Sequence, residues 1–173
     1  MNAKQFSDNN LKDFIRWDSK LELGISLIDN QHRHLVELCN SLYLQLMASR
    51  TDNREEWHSS VKGALQECAE YVRIHFHDEE LLQKLAGYKF YDRHKAEHDR
   101  FTNQIIATVK NYNNMTFTDA LKFVRFLYEW ILEHVAHEDK LIEKSVKAYL
   151  KAHPIATNKP QLSDSDFDIV IRS

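Results

Sequence analysis

The stretch YVRIHFHDEELL, residues 71–82, makes two opposing demands. Leu65, Cys68, Val72 and Leu82 recur at helical spacing and mark a face that must be hidden from water. His75 and Glu79, four residues apart, fall on that same face. A buried imidazole and a buried carboxylate are tolerated when they are paired, hydrogen-bonded or bound to a metal. The stretch therefore predicts a buried helix with a polar centre inside it.

The surrounding chain repeats this pattern. A helix from about Leu27 to Ser49 turns Ile28, Leu35, Cys39, Leu42 and Leu46 inward, and His32 falls in the series. The polar connection SRTDNRE leads into the helix that carries the opening stretch, from about Glu55 to Ala86, with Gly87 as its C-terminal cap. A third helix, about Phe90 to Tyr112, has Tyr91, His94, His98, Phe101 and Ile105 on its inward series. After NNMTFTD, a fourth helix capped by Thr116 or Thr118 runs to about Ala152 with Val124, Leu127, Ile131 and His134 inward, and Pro154 closes it. Four long helices joined by short connections predict an all-α, antiparallel up-down-up-down bundle over residues 26–153. Residues 1–25 read as an N-terminal arm whose Phe14, Ile15, Trp17 and Leu23 pack on the bundle. Residues 154–173 read as a C-terminal tail or linker.

Composition agrees with helices and narrows the function. Three Gly and two Pro in 173 residues disfavour a turn-rich β architecture, and 43% hydrophobic content suffices for one domain with a core. A formal net charge of −3 without a basic cluster gives no reason to expect nucleic acid. No apolar run approaches the roughly 18 residues of a membrane span. The start, MNAKQFSDNN, lacks a signal-peptide core, so a cytoplasmic chain with no membrane partner is expected. Cys39 and Cys68 lie within helical apolar patterns and read as buried thiols.

Ten histidines remain to be explained. Residues four apart on a helix differ by about 40° in direction and about 6 Å along the axis, so both can reach one small site. His75 with Glu79 and His94 with His98 are two such pairs, while His32 and His134 occupy the stripes of the other two helices. A lone inward histidine is ordinarily a core residue satisfied by a carbonyl or carboxylate. Four to six mutually close imidazoles cannot all find protein acceptors in a dry core, and a metal resolves that conflict. His34, His58, His77, His137 and His153 fall off the stripes and read as surface groups. A set of five or six imidazoles with one or two carboxylates and no thiolate exceeds a tetrahedral zinc site. It suits two iron-class ions sharing bridging carboxylates. After His134, helical spacing alone favours Glu138 as the next ligand, since the five-residue step to Asp139 turns about 140°.

The motifs HFHDEELL, HKAEH and WILEHVAHED, preceded by LGISLIDNQHRHL and by WD at 17 and 18, resemble the hemerythrin family, specifically its bacterial members, over about residues 14–150. That resemblance implies that His94, His98 and His134 hold one iron and His32 and His75 the other. Glu79 and Asp139 would bridge them together with an oxo or hydroxo group, which selects Asp139 over Glu138. It further implies two iron ions (Fe2+/Fe3+) as cofactor, dioxygen as ligand at the open position of the second iron, and Ile131 as an apolar wall of the oxygen pocket. The function so implied is reversible dioxygen binding rather than catalysis, for oxygen storage, delivery or sensing. An oxygen-consuming enzyme or a signalling partner would receive it. The alternatives are a di-iron oxidase or peroxidase, for which the Glu-x-x-His pairs of ferritin-like sites are missing from the stripes, and a sensing module coupled through the tail.

Overall fold

The computed structural model describes residues 14–49 and 53–154. Six α-helices are present: α1 (Ser26–Ala48), α2 (Arg54–Tyr71), α3 (His77–Leu85), α4 (Tyr91–Asn111), α5 (Phe117–Trp130) and α6 (Asp139–Ala152). A π-helical segment, Val72–Phe76, joins α2 to α3, and another, Ile131–Glu138, joins α5 to α6. Backbone angles stay helical through both joints, so the six helices form four long rods. Neighbouring rods run in opposite directions. Gln31 lies beside Asp78 and His34 beside Glu67 across α1 and its partner rod, and Glu97 lies beside His134 while Phe101 meets Trp130 across α4 and α5. Among the described residues there is no strand, and no helix is long and apolar enough to cross a membrane.

Local chemistry stops and starts the rods. The α3 end is closed by Gly87 at φ +60°, with its N–H on the Lys84 carbonyl and the Tyr88 N–H on the Gln83 carbonyl, the paired bonds of a Schellman turn. Of the two threonines expected to cap α5, Thr116 does so. Its hydroxyl accepts from the Asp119 N–H at 3.2 Å, and the Asp119 carboxylate accepts from the Thr116 N–H in return.

The stripes predicted for α1 and α5 are buried throughout. Some positions differ from the sequence expectation, and on the stripe of the second rod Val72 and Leu82 are only half-buried. Tyr91, at the first turn of α4, is only half-buried and donates its hydroxyl to Glu80. His58 is half-buried rather than solvated: its ring packs 3.9 Å from Tyr112 and bonds the Tyr112 carbonyl, tying the start of α2 to the α4–α5 connection.

The core has two parts. A large apolar cluster fills the bundle from Leu35 and Val135 toward the α1–α2 end, and a small one of Leu23, Ile25, Ile28, Ile142 and Val146 closes the other end. On α1 the order is Ile28, His32, Leu35, so the inward histidines form a polar layer between two apolar ones. Residues 14–25 lie on this body. Ile15 exchanges two hydrogen bonds with the Asn40 side chain, Phe14 stacks on Tyr43, and Arg33 sits over Trp17. The earlier part of the expected arm and the expected tail beyond Pro154 lie outside the described residues.

Candidate metal centre

The structure brings His32, His75, Glu79, His94, His98, His134 and Asp139 into the polar layer, each no more than 2% exposed. Their ligating atoms fall into two sets, within each of which all atoms lie inside 4.8 Å of one another. One is Glu79, His94, His98, His134 and Asp139, and the other is His32, His75 and Asp139. Asp139 belongs to both. Its Oδ1 faces His134 Nε2 at 3.0 Å and His94 Nε2 at 3.3 Å, while Oδ2 faces His32 Nε2 at 3.1 Å. Glu79 Oε2 lies 3.1 Å from both His94 Nε2 and His98 Nε2.

A π turn delivers Asp139. On an ideal α-helix Glu138 would follow His134 on the same face, but the segment Ile131–Glu138 inserts one residue into the turn. The Asp139 N–H then bonds the His134 carbonyl, five residues back. Asp139 turns inward, and Glu138 is left at the surface in an ion pair with Arg93 at 2.6 Å.

Four hydrogen-bonding facts test whether this set suits a metal. His98 Nδ1 lies 3.0 Å from a Glu80 carboxylate oxygen and His134 Nδ1 lies 3.1 Å from a Glu97 oxygen, so both outer nitrogens donate. The inner nitrogens of these two rings face each other at 3.1 Å, where two lone pairs cannot meet unshared, so either a proton or a metal cation must lie between them. His75 Nε2, Glu79 Oε1 and both oxygens of Asp139 are buried without a hydrogen-bond partner. Both His32 nitrogens are likewise unpartnered, since its approach to Asp139 lacks hydrogen-bond geometry. Scattered buried polar atoms elsewhere, such as Trp57 Nε1 and the Gln83 amide, also lack partners, but among the described residues only here do several imidazole nitrogens and carboxylate oxygens converge, as a bound ion would require. The donor set of imidazole nitrogen and carboxylate oxygen fits iron-class metals.

Electrostatics hold the carboxylates ready. Burial and the Asp139 charge push the Glu79 carboxyl up, but hydrogen bonds from His94 and His98 outweigh them and keep it below the usual carboxylate range. Burial also opposes ionisation of Asp139, and His134 and His32 overcome it. Burial, reinforced by neighbouring His32, drives His75 down to about 3, so its ring is neutral and able to ligate. Burial disfavours the His98 cation as well, yet hydrogen bonds to Glu79 and Glu80 raise it to about 9.

Several neighbours were not legible as site residues. Gln31, Glu80 and Glu97 each sit beside a ligand in sequence, off the apolar stripe, and reach a ligand on another rod. Trp130 stacks on His134 at 3.9 Å, Phe76 on His98 at 3.8 Å and Tyr71 on His75 at 4.6 Å, so aromatic rings wall the ligands from water. Ile131 is fully buried at the start of the π segment that bears His134. His34 and His77 are exposed.

A four-helix bundle built round a buried layer of five imidazoles and two carboxylates defines a class, the bundles whose core is made to hold metal ions. The model of the hemerythrin HHE cation binding domain matches residues 23–145. A bacteriohemerythrin of Clostridium acetobutylicum is 33% identical over 129 residues, covering 72% of this chain and 95% of its own length. One from Pseudomonas aeruginosa is 31% identical over 124 residues, covering 71% and 75%. A crystal structure of a hemerythrin mutant shares the fold with a TM-score of 0.63 at 23% identity, covering 78% of this chain and 98% of its own. The chain belongs to the hemerythrin family.

Proposed function

We propose that this protein binds dioxygen reversibly at a non-haem di-iron centre held by His32, His75, Glu79, His94, His98, His134 and Asp139. The observation that carries the reading is the pair of ligand sets sharing Asp139, each donor buried and several without any other partner. Two iron ions, when bound there, supply the electrons by which dioxygen is held and released. His94, His98 and His134 would hold one ion and His32 and His75 the other, with Glu79 and Asp139 between them. The set with only two imidazoles leaves room for an exogenous ligand.

The protein's own contribution is orientation and exclusion of water. Glu80, Glu97 and the Gln31 amide fix three ring tautomers so that Nε2 points inward. The aromatic rings of Tyr71, Phe76 and Trp130, together with Ile131, would keep bulk water and its protons from the bound ligand, which favours release of intact dioxygen. Access is short. A groove of about 410 Å³ between α1 and α2, bordered by Leu27, Ile74 and Tyr71, reaches His75.

Binding is favoured over turnover by the donor set. Five imidazoles and two carboxylates leave less negative charge on the metals than a carboxylate-rich oxidase site would, which disfavours highly oxidised states. Two unpaired buried cysteines suit a reducing, cytoplasmic setting. The test is an optical spectrum through cycles of anaerobic reduction, exposure to air and removal of oxygen. Bands that appear in air and vanish under argon support the proposal, and a colourless protein or an irreversible change refutes it.

A further inference from the structure

The two ligand sets differ in what stands behind them. His98 and His134, both of the larger set, donate their outer N–H groups to carboxylates, Glu80 at 3.0 Å and Glu97 at 3.1 Å. His75, of the smaller set, faces Gln31 Oε1 at 3.0 Å. The orientation of that amide is fixed from its far side, because Gln31 Nε2 donates to Asp78 Oδ2 at 2.7 Å. On its outer side His75 therefore meets a neutral acceptor, and the carboxylate on that side, Asp78, stands one residue further out. His32 Nδ1 has no partner, and neither has His94 Nδ1 of the larger set, so the contrast rests on His98 and His134 against His75. Glu80 and Glu97 are 17% and 22% exposed, so their charges are only partly screened where they meet the rings.

An imidazole whose N–H leans on a carboxylate is a stronger donor at its other nitrogen, and its complex with a cation gains the carboxylate's charge as well. An imidazole leaning on an amide gains orientation without the charge. On the di-iron reading above, we propose that this outer layer makes the two metal positions unequal. Glu80 and Glu97 are positioning residues that make the His94–His98–His134 position the tighter holder. Gln31 leaves the His32–His75 position as the one that fills last and empties first. The position with room for an exogenous ligand is thus also the exchangeable one.

The experiment loads the full chain with ferrous iron, adds excess chelator without oxygen and follows release in time. The expected result is two phases of one iron each. His75→Ala, which cripples the smaller set, should retain only the slow phase and so assigns it. Glu80→Gln and Glu97→Gln, which keep shape and hydrogen bonding but remove charge, should speed the slow phase by about tenfold to a hundredfold and leave the fast one. Gln31→Glu combined with Asp78→Asn moves the charge one residue inward while preserving the hydrogen-bonded chain, and should slow the fast phase by a similar factor. Equal apo melting temperatures separate these effects from misfolding. A single release phase in the parent overturns the inference. So does an exchanged Gln31/Asp78 pair that leaves the fast phase unchanged, or a Glu97→Gln variant that alters only the fast phase. Loading of fewer than two irons would instead refute the di-iron reading on which the inference rests.

Discussion

Replacing Asp139 by Ala should remove the group shared by both ligand sets, whereas replacing its neighbour Glu138 should matter little. Asp139 is fully buried and lies within 3.3 Å of nitrogens on His32, His94 and His134. Glu138 is paired only with Arg93, both partly exposed, and such a pair contributes roughly 0–1 kcal/mol. An ion held at about 100 times its dissociation constant stabilises the folded state by about 2.7 kcal/mol. At about 2–4 °C per kcal/mol for a chain of this size, losing one ion lowers the melting temperature by about 5–11 °C. Glu138→Ala should shift it by at most about 4 °C on the same scale, with no loss of metal. Calorimetry of the iron-loaded proteins and iron analysis of the same samples give both numbers. Asp139→Asn, which keeps the volume, should follow Asp139→Ala in iron content and so exclude a cavity as the cause. The reasoning fails if Asp139→Ala keeps two irons and the parent's melting temperature, or if Glu138→Ala is the variant that loses metal.

His75→Ala, His94→Ala and His98→Ala should each lower bound iron, while His34→Ala and His77→Ala, at exposed positions, should leave it unchanged; iron analysis checks all five. Ile131→Asn should keep iron but lose its oxygenated spectrum in air faster than the parent, because it puts an amide into a dry wall, and Ile131→Leu should stay close to the parent. A decay rate for the Asn variant equal to the parent's would remove Ile131 from the pocket. Thr116→Ala should cost about 1 kcal/mol in urea unfolding through loss of the α5 cap. The same box is sensitive to acid. Hydrogen bonds from Thr116 and Lys122 hold the Asp119 carboxyl at about 2 against an ordinary 3.8, so its contribution is in place above about pH 4 and is lost as pH falls through 2. Comparing Thr116→Ala with the parent at pH 7 and pH 2 should show the stability gap shrinking in acid.

Most of the bundle was legible because its signals are local. The three-and-four spacing of Ile28, Leu35, Cys39, Leu42 and Leu46 needs only one helix to read, and Gly87 and Thr116 mark their helix ends by backbone chemistry that each carries itself. The inward histidines were visible for the same reason, as polar residues in step with an apolar stripe. Asp139 was not, since ideal geometry points to Glu138. The π turn that reverses them is a property of the hydrogen-bond ladder, which no residue pattern announces, and only the family resemblance selected the aspartate. Gln31, Glu80 and Glu97 escaped because each acts across a gap between rods. A residue one step off the stripe looks like surface until the neighbouring rod brings an imidazole to it. Tyr91 was misread in the opposite sense. It keeps the period of the α4 stripe, but in the first turn of α4 it lies beside Glu80 at the bundle's edge.

The central claim is that seven buried side chains hold two iron ions that share Asp139. Anomalous diffraction from crystals of the iron-loaded protein, collected on both sides of the iron absorption edge, tests it most directly. Two iron peaks, about 3.5–4 Å apart as in two-metal sites generally, should appear, one among His94, His98 and His134 and one beside His32 and His75, with Asp139 between them. One peak, peaks elsewhere, or a signal at the zinc edge instead would contradict it.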